Sequence, residues 1–397
     1  MNTDNSKSPI LSKNVSSFNG LEPLLRFRSF SDFWHKNFLE DLGIFMGGGT
    51  PSKSEEKYWN GSIPWISSSD MTEDSVTKIN ISRYINHDAI DNSATKLCPK
   101  NTIHIVSRVG VGKVAISHIQ LCTSQDFTNF ISNDLNNRLF LTYYLSVIMK
   151  KKSQQTQGTS IKGITSEEIK KLRIFLPSLP EQKKIAEFLF LVDERIEQQR
   201  KLVEALKRYK RGVINKVLSS IKQTDMVLLK DLVTKGHVKL GRGNVIPKYK
   251  KDESKIYPVY SSSTHNDGLM GFYDSFMFDN ELITWSIDGG GNFFYRKKHK
   301  FNVTNVCGIL ELDSTQYNYK FIAECLIHQH ERKHFDYLSK AHPSVIIDMY
   351  KLPNISIDVQ QKYATLFLAF DDLIIASEQV VDNLRQVKTA LLQQMFI

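Results

Sequence analysis

The chain has 397 residues, 41% of them hydrophobic and 24% charged, with a net charge of +10, so two to three domains of roughly 100–200 residues are expected, large enough for buried cores. The basic balance fits a polyanion partner and fits a merely soluble basic surface equally well. Cys98, Cys122, Cys307 and Cys325 stand far apart with no C-x-x-C spacing, so neither a zinc ribbon nor a disulfide framework is indicated and a reducing cytoplasm fits.

Residues 1–20, rich in Ser, Asn and Lys, read as a flexible lead-in without an apolar signal region. Residues 21–177 form a first domain. The strand-forming runs Ile63-Pro64-Trp65-Ile66, Thr102 to Val106 and Lys113 to Ile116 precede a helical run from Asn137 to Lys152, with Gly- and Ser-rich turns between them. A long helix is expected over 178–221. Residues 222–353 repeat that order: Tyr257 to Tyr260, Glu281 to Trp285 and Gly308 to Leu312 as strands, then a helix from Tyr319 to about Phe335. A second long helix occupies 354–397. Its most apolar run, Tyr363 to Ala376, is interrupted by Asp371 and Asp372, too short and too charged to span a bilayer. The chain therefore reads as soluble and unexported.

The two long helices are copies of one pattern. Ser178 and Ser356, Gln182 and Gln360, Ala186 and Ala364, Asp193 and Asp371, Ile196 and Ile374, Leu206 and Leu384, and Lys210 and Lys388 all stand 178 residues apart, which makes the repeat a statement about the fold. In the first helix a seam with steps of four and three runs through Ile185, Leu189, Val192, Ile196, Gln199, Val203, Leu206, Lys210, Val213 and Val217. In the second it runs through Tyr363, Phe367, Phe370, Ile374, Ser377, Val381, Leu384, Lys388, Leu391 and Met395. This 3.5-residue period is that of a coiled coil, and a helix of roughly 40 residues makes a rod of about 60 Å. Each seam can bury the other. The expected architecture is α+β: two similar α/β domains joined by two antiparallel helices in one intrachain coiled coil, with approximate two-fold symmetry and with Leu206 and Leu384 buried. At the first helix start, Ser178 and Glu181 have the spacing of a capping box, with Pro180 tolerated in the first turn. Ser356 caps the second, where Val359 replaces the glutamate.

These residues resemble the specificity subunit of type I restriction-modification systems. The run from Glu22 to Phe30 with Trp34 and Leu39-Glu40-Asp41-Leu42 is similar to the family's P-x-L-R-F-x-x-F-x-x-x-W opening. Leu176-Pro177-Ser178-Leu179-Pro180-Glu181-Gln182-Lys183-Lys184-Ile185 is similar to its P-L-P-x-x-E-Q-x-x-I helix start. The resemblance covers Leu21 to the C-terminus. It implies a non-catalytic reader in which two target recognition domains each read half of a bipartite DNA sequence, while the helices space the domains and hold two modification (methyltransferase) subunits, to which restriction subunits add. It further implies adenine methylation by the partner with S-adenosylmethionine, ATP and Mg2+ at the restriction partner, no cofactor or metal on this chain, and a cytoplasmic bacterial or archaeal location.

Reading DNA needs cations for phosphate and paired donors and acceptors for base edges. The first domain offers Thr50, Ser52 and Lys53 after three glycines, then Ser67, Ser68 and Ser69, then Arg108 and Lys113, then Thr159, Ser160 and Lys162. The second offers Lys239 and Arg242, then Tyr260, Ser262, Ser263, Thr264, His265 and Asn266, then Arg296, Lys297, Lys298 and Lys300. Each loop alone reads as a solvated loop. Their recurrence at corresponding places in both copies favours DNA, with the four-cation cluster suited to phosphate and Ser263 to Asn266 suited to base edges.

Three competing motifs carry less. His330-Glu331-x-x-His334 has the H-E-x-x-H spacing of a zinc peptidase, but Arg332 and Lys333 sit inside it in a chain with 11 histidines. Gly110-Val111-Gly112-Lys113 lacks the earlier glycine and the Ser/Thr of a P-loop, and Gly289 to Asn292 lacks dinucleotide-site spacing. No Asn-Pro-Pro-Tyr or Asp-Pro-Pro-Tyr stretch is present, so no adenine-methylation site is visible. A zinc-dependent peptidase and a protein-only coiled-coil adaptor are the alternatives.

Overall fold

The structure, a computed structural model, describes residues 11–13, 22–156, 163–246, 256–263, 265–288, 290–331, 333 and 340–397. The chain divides into two units, one of residues 1–198 with 380–397 and the other of residues 199–379.

In the first unit an antiparallel sheet has the order Gly43–Gly47, Phe127–Ser132, Ile103–Val106, Val114–Ile116. Ile103–Val106 is buried at every position, because its neighbours cover both edges and its mixed run Ile-His-Ile-Val leaves no face for water. A second sheet, in the order Arg83–Ile85, Ile63–Ile66, Leu121–Thr123, Leu97–Cys98, pairs Ile63–Ile66 in parallel with Leu121–Thr123. The helix Arg138–Thr156 drives Phe140, Leu141, Tyr144 and Met149 into the core. His35–Phe38 pairs with Arg173–Leu176, and the second of these strands leads into the central helix. Leu11–Lys13 pairs with Leu25–Phe27, so three residues of the lead-in join a ladder.

The second unit repeats this topology. Its antiparallel sheet is Val238–Arg242, Cys307–Leu312, Leu282–Ser286, Phe293–Arg296, and its smaller sheet is Leu269–Tyr273, Tyr257–Tyr260, Asn302–Val303. Tyr257–Tyr260 again pairs in parallel with the strand beyond it. The core helix is Tyr319–His330, shorter than the sequence suggests. Met226–Leu228 with Lys351–Pro353 closes the unit before the C-terminal helix.

The central helix is Leu179–Ser220 and the C-terminal helix Ile357–Met395; each unit contains part of both. In the first unit Leu391, Leu392, Met395 and Phe396 share a core with Ile185 and Leu189, and Lys388 Nζ lies 2.6 Å from Asp193 Oδ1. In the second unit Gln199 Nε2 donates to the Ser377 carbonyl at 3.5 Å, Lys207 pairs with Glu378 at 2.8 Å, and Lys210 pairs with Asp371 at 2.6 Å. From Asp193 with Lys388 through Gln199 with Ser377 to Lys210 with Asp371, partner numbers fall along one helix as they rise along the other, so the helices run antiparallel. All seam residues are buried or half-buried. Leu206 and Leu384, expected to be buried, are half-buried. Neither belongs to a core cluster, because two helices alone leave the outer flank of a seam side chain in water.

The two seam lysines are also held by the globular parts, Lys388 Nζ donating to the Asp74 carbonyl at 2.8 Å. Lys210 reaches Glu324 at 2.7 Å as well as Asp371; burial by itself would lower the lysine's pKa, but the two carboxylates outweigh it and the value is raised. Asp371, also facing Lys320, is correspondingly held below the ordinary carboxylate value despite its burial. The helix starts are anchored alike. Gln182 Oε1 accepts from Asn137 N at 2.9 Å and Nε2 donates to the Pro177 carbonyl at 3.0 Å; Gln360 does the same with Asn318 N at 2.9 Å and the Ile355 carbonyl at 2.8 Å.

Glu181 departs from the capping box expected of it. Its two carboxylate oxygens accept from Arg26 Nε at 2.7 Å and Nη2 at 2.8 Å, and both side chains are buried. Burial favours this partner, because a desolvated carboxylate gains more from a guanidinium fork than from a backbone amide. Cys98, Cys122, Cys307 and Cys325 are free and buried. No helix among the described residues is long and apolar enough to cross a membrane.

Candidate nucleic-acid interface

In the first unit the candidate loops meet at one end of the sheets. The strand Ile63–Ile66 ends in Ser67, which starts a short helical turn capped by Asp70: the carboxylate accepts from Ser67 N at 2.7 Å. Arg83 stacks on the Trp65 ring at 4.7 Å and donates to Ser67 Oγ at 2.7 Å. Lys113 Nζ donates to the Ser68 carbonyl at 2.9 Å, joining this turn to the 107–113 loop. Ile164 N donates to the Ser107 carbonyl at 2.7 Å, which brings in the chain beyond the helix. The Thr50 hydroxyl meets the Gln125 side chain, and Ser52 Oγ lies 2.7 Å from Ser54 Oγ. Ser52, Lys53, Ser69 and Arg108 are exposed, whereas Thr50, Ser67, Ser68 and Lys113 are half-buried. Thr159, Ser160 and Lys162 lie outside the described residues.

Two glycines of these loops face their own chain. A side chain at Gly48 would meet the Ser124 carbonyl oxygen at 2.0 Å, and one at Gly243 the Val303 carbonyl oxygen at 2.0 Å. Close packing inside the unit therefore requires both, independently of any ligand.

In the second unit Lys239, Arg242, Ser263, His265, Asn266, Lys297, Lys298 and Lys300 are exposed and Tyr260 and Ser262 half-buried. Thr264 lies outside the described residues. The loop after Tyr257–Tyr260 is tied down by Ser261 N to the Gly268 carbonyl at 2.8 Å, by Ser286 Oγ to the Ser262 carbonyl at 2.7 Å and by Thr304 Oγ1 to Ser261 Oγ at 3.2 Å. Lys300 stands over the Phe276 ring at 4.7 Å. Lys297 approaches Asp372 at 3.4 Å, both ends exposed, a pair of little energetic weight.

Arg296 does not belong to that surface cluster. It is 4% exposed, donates from Nε to Thr284 Oγ1 at 3.0 Å and from Nη2 to the Asp267 carbonyl at 2.8 Å, and stacks on the Tyr260 ring at 3.7 Å. Burial lowers its pKa. The run Arg-Lys-Lys-His-Lys hides this; the alternation of Phe293–Arg296, which puts Arg296 on the same face as Phe294, is the signal that could have found it.

Matching the ladders puts His104 where the second unit has Thr284, and Ser117 where it has Arg296. His104 Nδ1 donates to Asn129 Oδ1 at 2.7 Å, Nε2 accepts from Ser117 Oγ at 2.9 Å, and Asn129 Nδ2 donates to Thr123 Oγ1 at 2.8 Å. Burial pulls this imidazole down to about 4, against the opposing Asn129 bond, so it is neutral at pH 7. Sequence reading missed the network because His104, Thr123 and Asn129 are ordinary strand residues and Ser117 directly follows a strand.

His330, the first histidine of the zinc-like spacing, has Nδ1 at 2.8 Å from the Tyr350 hydroxyl and Nε2 at 3.1 Å from Asn292 Oδ1. Both ring nitrogens are thus committed to hydrogen bonds. His334 lies outside the described residues, and among those described no group of three His, Cys, Asp or Glu side chains is placed to hold a metal ion.

A family model described as "Type I restriction modification DNA specificity domain" matches residues 32–208 and again 222–385. Over 181 residues the chain is 34% identical to the type I restriction enzyme MjaIX specificity subunit of Methanocaldococcus jannaschii, covering 44% of this chain and 41% of that protein. Over 179 residues it is 33% identical to the EcoR124I/EcoR124II specificity subunit of Escherichia coli, covering 42% of each. The chain thus spans less than half the length of these curated relatives. Its fold is similar to a crystal structure of a type I restriction-modification system S subunit from M. genitalium, with TM-score 0.61, 19% identity, and 95% of this chain and 99% of that one covered.

Proposed function

From the chain's membership of the type I restriction modification DNA specificity family, we propose that it reads a bipartite, asymmetric DNA target, one half with each unit. The observation that carries this is the pairing of one topology with two unlike loop sets. Both units present a polar loop after the parallel-paired strand, but one offers Ser67 to Ser69 with Arg108 and the other Ser263, His265 and Asn266 with Lys239 and Arg242. Hydroxyl, imidazole and amide groups suit base edges, and the exposed Arg108, Lys53, Lys297, Lys298 and Lys300 suit phosphate. Like the family's specificity subunits, the chain is non-catalytic.

The helices supply the second half of the role. They hold two modification (methyltransferase) subunits, which bring S-adenosylmethionine and methylate adenine in each half-site; restriction subunits with ATP and Mg2+ add to that complex, in the cytoplasm. This chain binds none of those cofactors. The test is to map methylated adenines in a cell expressing the chain with its modification subunit. The expected motif has two different half-sites about one duplex turn apart, so that both face the same side. A single continuous motif, or a palindromic one, contradicts the reading.

A further inference from the structure

The buried arginine of the second unit does a task that its sequence context conceals. Asn266 and Asp267 have φ of +49° and +48°, and Gly268 has φ of +78°. Asn and Asp tolerate the left-handed region better than other non-glycine residues, but normally one at a time, so two in succession gain from a support outside the turn. At Gly268 a side chain would meet the Ser261 carbonyl oxygen at 2.8 Å, so the turn is also tightly folded on itself. Arg296 lies under it, and its Nη2 donates to the carbonyl of Asp267, the central left-handed residue, at 2.8 Å.

The guanidinium is itself fixed from three directions. Tyr260 stacks on it at 3.7 Å, Phe294 lies at 4.8 Å, and the Thr284 hydroxyl accepts from Nε at 3.0 Å. A group so enclosed cannot touch and neutralise a phosphate. What it can do is transmit the position of the rigid sheet, through a planar fork with fixed donor directions, to one backbone oxygen. The residues flanking that oxygen, His265 and Asn266, are exposed. The first unit has Ser117 and His104 at the corresponding positions, so this device belongs to one copy only.

We infer that Arg296 is a positioning residue for base reading: it holds the Asn266-Asp267-Gly268 turn in the form that presents His265 and Asn266 to one half of the DNA target. The inference rests on the proposed reading of that loop. Loss of the fork lets the turn relax toward ordinary φ values, moving both side chains without removing any group that touches DNA. The consequence is a change in which bases are preferred, with the electrostatic part of binding intact.

The experiment uses the full chain assembled with its modification subunits and two duplex libraries, each randomised in one half-site, together with a scrambled duplex over several salt concentrations. Arg296→Lys keeps the charge and loses the fork; Thr284→Val removes only the hydroxyl that orients it. Both are expected to lower base preference about ten-fold at one or two positions of one half-site, leaving the other half-site, the scrambled-duplex affinity and the salt slope as in the wild type. Should Arg296→Lys fail to fold, Thr284→Val carries the same expectation. Unchanged preference in the folded variants overturns the inference, and so does a shallower salt slope, which would make the arginine a phosphate ligand. If His265→Ala and Asn266→Ala also leave both half-sites unaltered, the loop is no reader and the underlying reading falls too. Altered preference in those two with none in Arg296→Lys overturns the positioning role alone.

Discussion

The two units share a topology and differ in what is buried at matching places. At the helix starts they agree: Gln182 and Gln360 make the same bonds to a backbone N–H and a preceding carbonyl. One residue earlier they part, with Glu181 locked to Arg26 in the first unit and Val359, 38% exposed, in the corresponding place of the second. Along the helices Asp193 with Lys388 answers Asp371 with Lys210, but the first pair recruits the Tyr143 hydroxyl at 2.7 Å and the second Glu324 and Lys320. Under the loops the difference is complete: a neutral histidine network in one, a buried cation in the other. The lesson is that a repeated backbone needs only a few fixed polar anchors. Polar interiors that support the loops are free to be solved differently, and loops of different shape follow.

The largest effect tests the asymmetry at the helix starts. Glu181→Ala removes the bidentate carboxylate from a buried guanidinium, leaving it Glu22 at 3.5 Å, and is expected to cost about 3 kcal/mol in the first unit, whereas Val359→Ala should lie within about 0.5 kcal/mol. Denaturant unfolding of the two variants measures this. Equal losses would mean that the Arg26 ion pair does not secure the helix.

A second contrast is in acid. The unfolded chain protonates His104 near pH 6.5, while the folded one resists to about 4. Since the unfolded state binds the extra proton between those values, the first unit loses stability as pH falls through that window, by up to about 3 kcal/mol. The second unit, with Thr284 in that place, has no such loss from this source. Hydrogen exchange corrected for intrinsic rates should show the amides of Phe127–Ser132 losing protection between pH 6.5 and 4.5 relative to those of Cys307–Leu312. Parallel loss in both strands removes His104 as the cause.

How much of this was legible depends on range. The heptad seams are local periodicities and the 178-residue repeat matches one to the other, so both helices and their antiparallel pairing can be read. Strands are legible where short runs of β-branched and aromatic residues end in Gly or Ser turns, as at Ile63–Ile66 and Tyr257–Tyr260. Pairings made only in three dimensions leave no local trace: Arg26 and Glu181 stand 155 residues apart, and each looks like part of a separate motif. Arg296 is misplaced by sequence for the opposite reason, because its neighbours Lys297 and Lys298 are truly exposed and the run reads as one cluster.

The smallest expected effect concerns those neighbours. Replacing Lys297, Lys298 and Lys300 by alanine should leave stability almost unchanged, since exposed pairs such as Lys297 with Asp372 contribute little. Binding to all duplexes should weaken, with the salt slope falling by about one for each phosphate no longer neutralised. An unaltered slope on scrambled DNA would place the three lysines toward solvent or another subunit.

The division of reading between the units is tested most directly by exchanging residues 38–177 for those of another family member and mapping the methylated adenines that the hybrid complex produces. One half-site should change and the other remain as it was. A change in both halves, or in neither, would contradict the account.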